Sequence, residues 1–349
     1  MQERKISVLL VDDSPVILAI FKKILSTAPD IQVVGSAHNG REAMTLIEKL
    51  KPQVVCTDLM MPEMDGMQLI AEIMATSPRP VIVISAHVGK DSGNVFKLLE
   101  AGALELVSKP RLDQERRHAE MAAEIINKIR IVSGVHVFRR PRREKPAHSD
   151  GGGQKGADQA TAQAKMIVIG ASTGGVQALG AILPALPADF PLPIICVQHI
   201  SEGFLGGFVQ WLAANCAMSV EIATEQGKPA PGVIYFPQED RHLTVRSGMF
   251  VHTRGPAVKG IRPSITITMQ SVAEAYGSGA VGVLLTGMGD DGADGMLKIA
   301  SAGGMTIAQD EKSCIIFGMP KQAIDRGAVR QVLALNEIGA ALKRLAGRR

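Results

Sequence analysis

The sequence predicts two α/β domains in tandem, each a doubly wound parallel sheet. Three observations predict this. Apolar runs of strand length alternate with helix-period segments through both halves of the chain. Many of those runs end on a polar or charged residue, as expected where the carboxyl ends of parallel strands line one edge of a sheet. Residues 133–164 are basic, Pro-broken and Gly-rich, a composition that cannot bury a core and reads as a linker. This divides the 349 residues into 1–132, 133–164 and 165–349, domain sizes of the usual range.

Taken in order, Ile6–Val11 is a buried-strand run ending in Asp12-Asp13, and Pro15–Leu25 has helical periodicity. Gln32–Ser36 reads as a short strand and Gly40–Leu50 as a helix. Val54–Thr57 is apolar and ends on Asp58, before a helix over Gly66–Ala75. Val81–Ser85 is a strand, Asn94–Ala101 a helix, and Leu104–Val107 a strand before Lys109-Pro110. Leu112–Ile131 predicts a long final helix. Arg139-Arg140-Pro141-Arg142-Arg143 lies within the linker and reads as a solvated charge cluster, with contact to an acidic partner as the alternative. From Lys165 the α/β rhythm resumes and runs to the end.

In the first half, Asp12, Asp13 and Asp58 close adjacent strands, so three carboxylates converge on one crevice. Such a cluster repels itself without a hard cation. Mg²⁺ suits it, because that ion takes a few carboxylates and keeps water and phosphate oxygens. Ser85 and Lys109 end the next two strands and supply a hydroxyl and a positive charge for an incoming phosphoryl group.

In the second half, Met166-Ile167-Val168-Ile169-Gly170 leads into Ala171-Ser172-Thr173-Gly174-Gly175, and Pro193–Gln198 leads into His199. Ala280–Leu285 leads into Thr286-Gly287-Met288-Gly289-Asp290-Asp291-Gly292. A serine, a histidine and an aspartate at three strand ends suggest a nucleophile, its base and the base's orienter. The turn after Ser172 opens a helix whose free N–H groups favour developing negative charge. The same Gly-rich turn also suits a nucleotide phosphate, but it lacks G-x-G-x-x-G and the Walker lysine. Residues 288–292 also read as a turn or a metal loop, although no further ligand spacing supports a metal.

Composition narrows the classes further. The chain is 46% hydrophobic and 21% charged, with a net charge of +4 concentrated near the linker, so no nucleic-acid-binding face is expected. Cys56, Cys196, Cys216 and Cys314 form no C-x-x-C pair and read as core residues. The N-terminal apolar run is too short for a signal peptide, and no run approaches about 18 apolar residues. The expectation is a cytoplasmic protein with reduced thiols and no membrane insertion.

Residues 6–110 resemble a two-component receiver domain. The resemblance rests on Val11-Asp12-Asp13-Ser14, on Asp58-Leu59-Met60-Met61-Pro62-Glu63-Met64-Asp65-Gly66, on Ser85-Ala86 and on Lys109-Pro110. It implies a flavodoxin-like sheet with Asp58 as phosphoacceptor and Asp12, Asp13 and Asp58 around Mg²⁺. Ser85 is then the switch hydroxyl, Lys109 the phosphoryl contact, and Lys109-Pro110 a cis bond. Leu106 stands three residues before Lys109, where receivers usually carry Tyr or Phe, a departure from the aromatic rotamer switch.

Residues 165–345 resemble the catalytic domain of the chemotaxis protein-glutamate methylesterases, the CheB family, on a Rossmann-like sheet. The segments that carry this are Ile169–Gly175, Val197-Gln198-His199, Arg241-His242-Leu243, Arg262-Pro263-Ser264 and Leu285–Ala293. The resemblance implies Ser172 as nucleophile, His199 as general base and Asp291 as orienter at the histidine's Nδ1–H. It also implies the Met288 backbone N–H as an oxyanion donor. Nothing in composition separates Asp290 from Asp291; the family pattern Met-Gly-x-Asp-Gly selects Asp291, leaving Asp290 solvated as an added charge beside the triad. Ile200-Ser201 replaces a common Met-Pro and is expected to alter the substrate groove.

The implied function is a phosphorylation-regulated serine hydrolase that demethylates glutamate methyl esters on chemoreceptor helices, with glutamine deamidation as a second activity. A sensor histidine kinase is the implied phosphodonor, and hydrolysis needs no cofactor. A binding protein with a vestigial hydrolase site is the alternative, disfavoured by the intact Ser172, His199 and Asp291. A response-regulator transcription factor would need a basic recognition helix, and none is legible.

Overall fold

The computed structural model describes residues 5–85, 93–109, 115–135, 137 and 163–347. The Lys109-Pro110 bond, the arginine cluster and the Gly-rich part of the linker lie outside the described residues. The first domain comprises β1 (Ile6–Val11), α1 (Pro15–Ser26), β2 (Ile31–Ala37), α2 (Gly40–Leu50), β3 (Val54–Asp58), α3 (Gly66–Thr76), β4 (Val81–Ser85), α4 (Gly93–Ala101), β5 (Glu105–Ser108) and α5 (Glu115–Ser133). Its strands pair in parallel in the order β2-β1-β3-β4-β5, the doubly wound topology expected. β3 and β4 are buried along their whole length, which is why they read as continuous apolar runs.

Local signals fix the helix starts. Ser14 caps α1 with Pro15 at its first position, and the Asn39 side chain accepts the Glu42 N–H at 2.8 Å to start α2. Asp65 and Gln68 form a capping box on α3. α5 ends at Ser133, two residues later than predicted, and Val135 and Val137 pack on the first domain's core, so the chain stays attached beyond the expected linker start.

The second domain comprises β6 (Met166–Ala171), α6 (Gly175–Ile182), β7 (Ile194–Gln198), α7 (Leu205–Asn215), β8 (Ser219–Ile222), β9 (Val233–Phe236), β10 (His242–Arg246), β11 (Met249–Thr253) and α8 (Ile265–Tyr276). It continues with β12 (Ala280–Leu284), α9 (Ala293–Ser301), β13 (Met305–Gln309), α10 (Met319–Asp325), β14 (Gln331–Leu333) and α11 (Leu335–Ala346). Seven strands pair in parallel in the order β14-β13-β12-β6-β7-β9-β8. β6 lies centrally, between β12 and β7. The chain leaves β6 toward one edge and later returns to its other side, which opens a crevice at the carboxyl end of β6.

The antiparallel hairpin β10-β11 interrupts the α/β rhythm that the sequence was read to continue. Its turn is Ser247-Gly248, with φ of 49° and 74°. Both residues have positive φ, as the tight turns of hairpins require. The Ser-Gly dipeptide between alternating apolar residues was a legible signal.

The two domains share one hydrophobic cluster. Phe96 of α4 is fully buried, and its ring centroid lies 5.4 Å from that of Phe208 and 6.0 Å from that of Trp211, both on α7. Gln177 Nε2 of α6 donates to the Ala103 carbonyl at 2.8 Å. The α4-β5-α5 side of the first domain therefore rests on the strand-end face of the second.

Candidate functional site

In the first domain, Asp12, Asp13 and Asp58 bring carboxylate oxygens within 4.8 Å of one another. Asp12 and Asp58 are buried and Asp13 is exposed. Lys109 Nζ sits 2.7 Å from Asp12 Oδ2 and 2.7 Å from Asp58 Oδ2. Burial lifts the Asp58 pKa above its ordinary value; the Lys109 ammonium pulls the other way, and Asp12 adds to the rise. Burial opposes the Lys109 charge, but bonds to Asp12 and Asp58 outweigh it and raise that pKa. Hard oxygen donors at this spacing fit Mg²⁺. Ser85 is buried at the end of β4, whose Ile84 pairs with Asp58. Gly66 is obligatory here, because a Cβ would meet the Asp58 carbonyl at 2.3 Å.

In the second domain, Ser172 and His199 follow directly on the paired strands β6 and β7, in register through Ala171 and Gln198. Gln198 locks the two ends together. Its Nε2 donates to the Ser172 carbonyl at 2.9 Å and to the His199 carbonyl at 2.7 Å. From the other side, Ser172 N–H donates to the Thr286 carbonyl at 3.0 Å, and Thr286 Oγ1 donates to the Thr173 carbonyl at 2.9 Å. Gly287 must lack a side chain, since a Cβ would come within 2.6 Å of Ser172 Cβ. Sequence reasoning missed Gln198 and Thr286; their signal was a polar side chain at the buried end of an apolar strand.

Asp291 lies at the head of α8. Its carboxylate accepts from His199 Nε2 at 3.0 Å, Ser264 Oγ at 2.8 Å, Ile265 N–H at 2.8 Å, Thr266 N–H at 3.0 Å and Gly292 N–H at 3.0 Å. Burial alone would raise its pKa. The His199 bond and the Ile265 and Thr266 N–H groups outweigh burial and hold the carboxyl well below its usual range. Asp291, the candidate orienter, is the aspartate that meets His199, and it does so at Nε2, not Nδ1. Nε2 therefore donates, and Nδ1 keeps the lone pair on the opposite side of the ring.

Asp290 departs from expectation too. It is not a free solvated charge: Lys259 Nζ lies 2.5 Å and Arg326 Nη2 2.9 Å from its Oδ2. These partners lower its pKa and neutralise the charge that the sequence placed beside His199.

A cleft of about 830 Å³ contains Ser172, His199, Met288 and Asp291. Met288 is 54% exposed, and among the described residues its N–H has no hydrogen-bond partner, so it is free to serve an oxyanion. The Ser172 hydroxyl does not reach His199: no hydrogen bond joins them among the described residues, a looseness common before substrate binds.

The first domain forms the cleft's other wall through Glu105, Glu124 and Lys128. Lys128 Nζ donates to the Leu106 carbonyl at 2.7 Å and to Ser201 Oγ at 2.9 Å, and pairs with Glu105 Oε2 at 3.0 Å and Glu124 Oε1 at 3.2 Å. Burial opposes the Lys128 charge, but the two glutamates outweigh it and raise its pKa. The Ser201 hydroxyl also lies 2.7 Å from the Leu106 carbonyl. Ile200 and Ser201 line the cleft, and Ser201 also joins the interdomain contact, where the Leu106 carbonyl meets the second domain. A narrow void of about 20 Å³ between Leu106 and Lys128 on one side and Ser172 and His199 on the other shows how near the contact runs. Among the described residues, no helix is long and apolar enough to cross a membrane.

The family model of CheB methylesterase matches residues 167–342, and that of the response regulator receiver domain matches residues 8–120. A "Protein-glutamate methylesterase/protein-glutamine glutaminase 1" of Geobacter metallireducens is 39% identical over 350 residues, covering 97% of this chain and 95% of that protein. A protein-glutamate methylesterase/protein-glutamine glutaminase of Thiobacillus denitrificans is 40% identical, covering 96% and 95%. Among solved structures, the Thermotoga maritima CheB methylesterase catalytic domain is 36% identical with a TM-score of 0.51, covering 53% of this chain and 100% of that one. With one family model on each sheet and relatives matching along nearly its whole length, the chain belongs to the CheB methylesterase family, with its catalytic domain joined to a response regulator receiver domain.

Proposed function

We propose that this protein is a phosphorylation-controlled serine esterase acting on methyl-esterified glutamate side chains of chemoreceptor helices. The observation that carries the reading is the His199–Asp291 pair set beside Ser172 in one cleft. Ser172 Oγ rotates toward His199 Nδ1, gives up its proton there and attacks the ester carbonyl. The Met288 N–H receives the oxyanion, and Asp291 steadies the imidazolium through Nε2. His199 returns the proton to the departing methoxide as methanol leaves. Water then attacks the acyl-enzyme by the same route and releases the glutamate. A glutamine carboxamide offers a similar carbonyl and follows the same steps with ammonia as leaving group. Mass spectrometry of methylated receptor fragments tests this: ester-bearing glutamates return to free acids, and glutamines to glutamates, only with intact Ser172.

The reading includes the division into receiver (1–132), linker (133–164) and catalytic domain (165–349). Asp58 is the phosphoacceptor, with Ser85 and Lys109 contacting the phosphoryl oxygens and a chemotaxis-type histidine kinase as donor. Asp12, Asp13 and Asp58 would hold Mg²⁺, which supplies positive charge against the phosphoryl oxygens. Treatment with acetyl phosphate is expected to label Asp58 alone. Asp58→Asn and EDTA each abolish labelling; equal labelling in either case contradicts the assignment.

Docking of the receiver over the cleft restrains the esterase, and phosphorylation shifts the population toward release. Phe96→Ala removes the aromatic side chain packed on Phe208 and Trp211, about 3 kcal/mol or more of contact, enough to shift the docked population about 100-fold. The unphosphorylated variant is expected to approach the turnover of the phosphorylated chain. Basal turnover equal to wild type contradicts restraint by docking.

A further inference from the structure

Arg241-His242-Leu243 and Arg262-Pro263-Ser264 stand out in the sequence, yet of their side chains only that of Ser264 hydrogen-bonds the His199–Asp291 pair among the described residues. The fold brings them together. His242 opens β10 and is 1% exposed. Its Nδ1 lies 3.1 Å from the Ser264 N–H, and its Nε2 lies 3.1 Å from the Pro256 carbonyl. A backbone N–H only donates and a carbonyl only accepts. The ring therefore carries its proton on Nε2 and offers the Nδ1 lone pair to Ser264. Ser264 is itself fully buried, so its N–H has no recourse to water. The Ser264 hydroxyl caps α8 and donates to Asp291 Oδ1 at 2.8 Å. Asp291 Oδ2 holds His199 Nε2 at 3.0 Å.

We propose that His242 is a positioning residue for the His199–Asp291 pair. It pins the Ser264 backbone, and with it the head of α8. Three of the five donors to Asp291 sit there: Ser264 Oγ, Ile265 N–H and Thr266 N–H. Losing one donor leaves the others in place; moving the head of α8 moves all three. The carboxylate then shifts, and with it the preference for a proton on His199 Nε2. His242 does not line the cleft, so its effect reaches the reaction only through Asp291. The inference rests on the serine-esterase reading.

Three substitutions in the full chain separate the two sides of the ring. Asn places a side-chain oxygen near the position of Nδ1 and keeps the acceptor for Ser264. Gln reaches the position of Nε2 and keeps only the Pro256 bond. Leu keeps bulk without either bond. His242→Gln and His242→Leu are expected to lower kcat about 10-fold with KM nearly unchanged, while His242→Asn stays near wild type. Long-range ¹H–¹⁵N NMR supplies a readout independent of turnover. His199 is expected in the Nε2–H tautomer in wild type and His242→Asn, and in a tautomer mixture in the Gln and Leu variants. Should the Leu variant not fold, the Asn and Gln pair decides alone. Equal kcat and equal His199 tautomer in the Asn and Gln variants overturns the proposal. If wild type itself hydrolyses no ester, the esterase reading fails, and the tautomer comparison still judges the positioning claim.

Discussion

Ser172→Ala is expected to lower ester hydrolysis about 10³-fold or more while leaving the fold intact. The two halves of this expectation have separate grounds. The reaction loses its nucleophile, and only the oxyanion donor and substrate binding remain. The structure loses little, because among the described residues the Ser172 hydroxyl makes no hydrogen bond. Alanine keeps the Cβ that packs against Gly287, and the Ser172 N–H and carbonyl keep their bonds to Thr286 and Gln198. An unchanged melting temperature with near-complete loss of turnover is the predicted pair of results. Near wild-type turnover in the folded variant ends the serine-esterase reading.

Asp291→Asn is expected to cost about 10⁴-fold in turnover, and Asp290→Asn far less. Five donors point at the Asp291 carboxylate, and an amide nitrogen in its place would face a donor at one or more of them. The His199 ring then loses its preference for the Nε2–H tautomer, and Nδ1 is no longer reserved as the base. The variant also loses stability at neutral pH. Asp291 has a folded pKa below its unfolded value, so its ionised form stabilises the fold above the ordinary carboxylate range, and that contribution is lost only as pH falls toward the folded value. Turnover must therefore be compared on protein shown to be folded. Asp290 sits in partly exposed pairs with Lys259 and Arg326, so its neutralisation changes stability by about 1 kcal/mol or less. A crippled Asp290→Asn beside a nearly normal Asp291→Asn reverses the assignment.

The sequence made the strand-end residues legible because a buried parallel strand is a continuous apolar run, and the polar residue closing it stands out. Asp12, Asp58, Ser172 and His199 were all visible in this way. Asp291 was not separable from Asp290 by composition. What separates them is the head of α8, which arrives from about 26 residues away along the chain. The choice of Nε2 over Nδ1 is likewise a matter of ring placement, to which residue identity is blind. The hairpin of β10 and β11 was missed despite its Ser-Gly turn, since the surrounding α/β rhythm pointed elsewhere. The docking of Phe96 on Phe208 and Trp211 left no sequence signal, because an apolar helix face does not name its partner. Ser201 read as a groove residue, which the cleft lining matches, and only the approach of Lys128 from α5 revealed its interdomain contact as well.

The central claim, a phosphorylation-controlled serine esterase, is tested most directly by methanol release. The substrate is a receptor-helix fragment bearing glutamate methyl esters, and the enzyme is the full chain with and without acetyl phosphate and Mg²⁺. Methanol is expected in both states, faster after phosphorylation, and at background with Ser172→Ala. Release no greater than that of Ser172→Ala in either state would contradict the account.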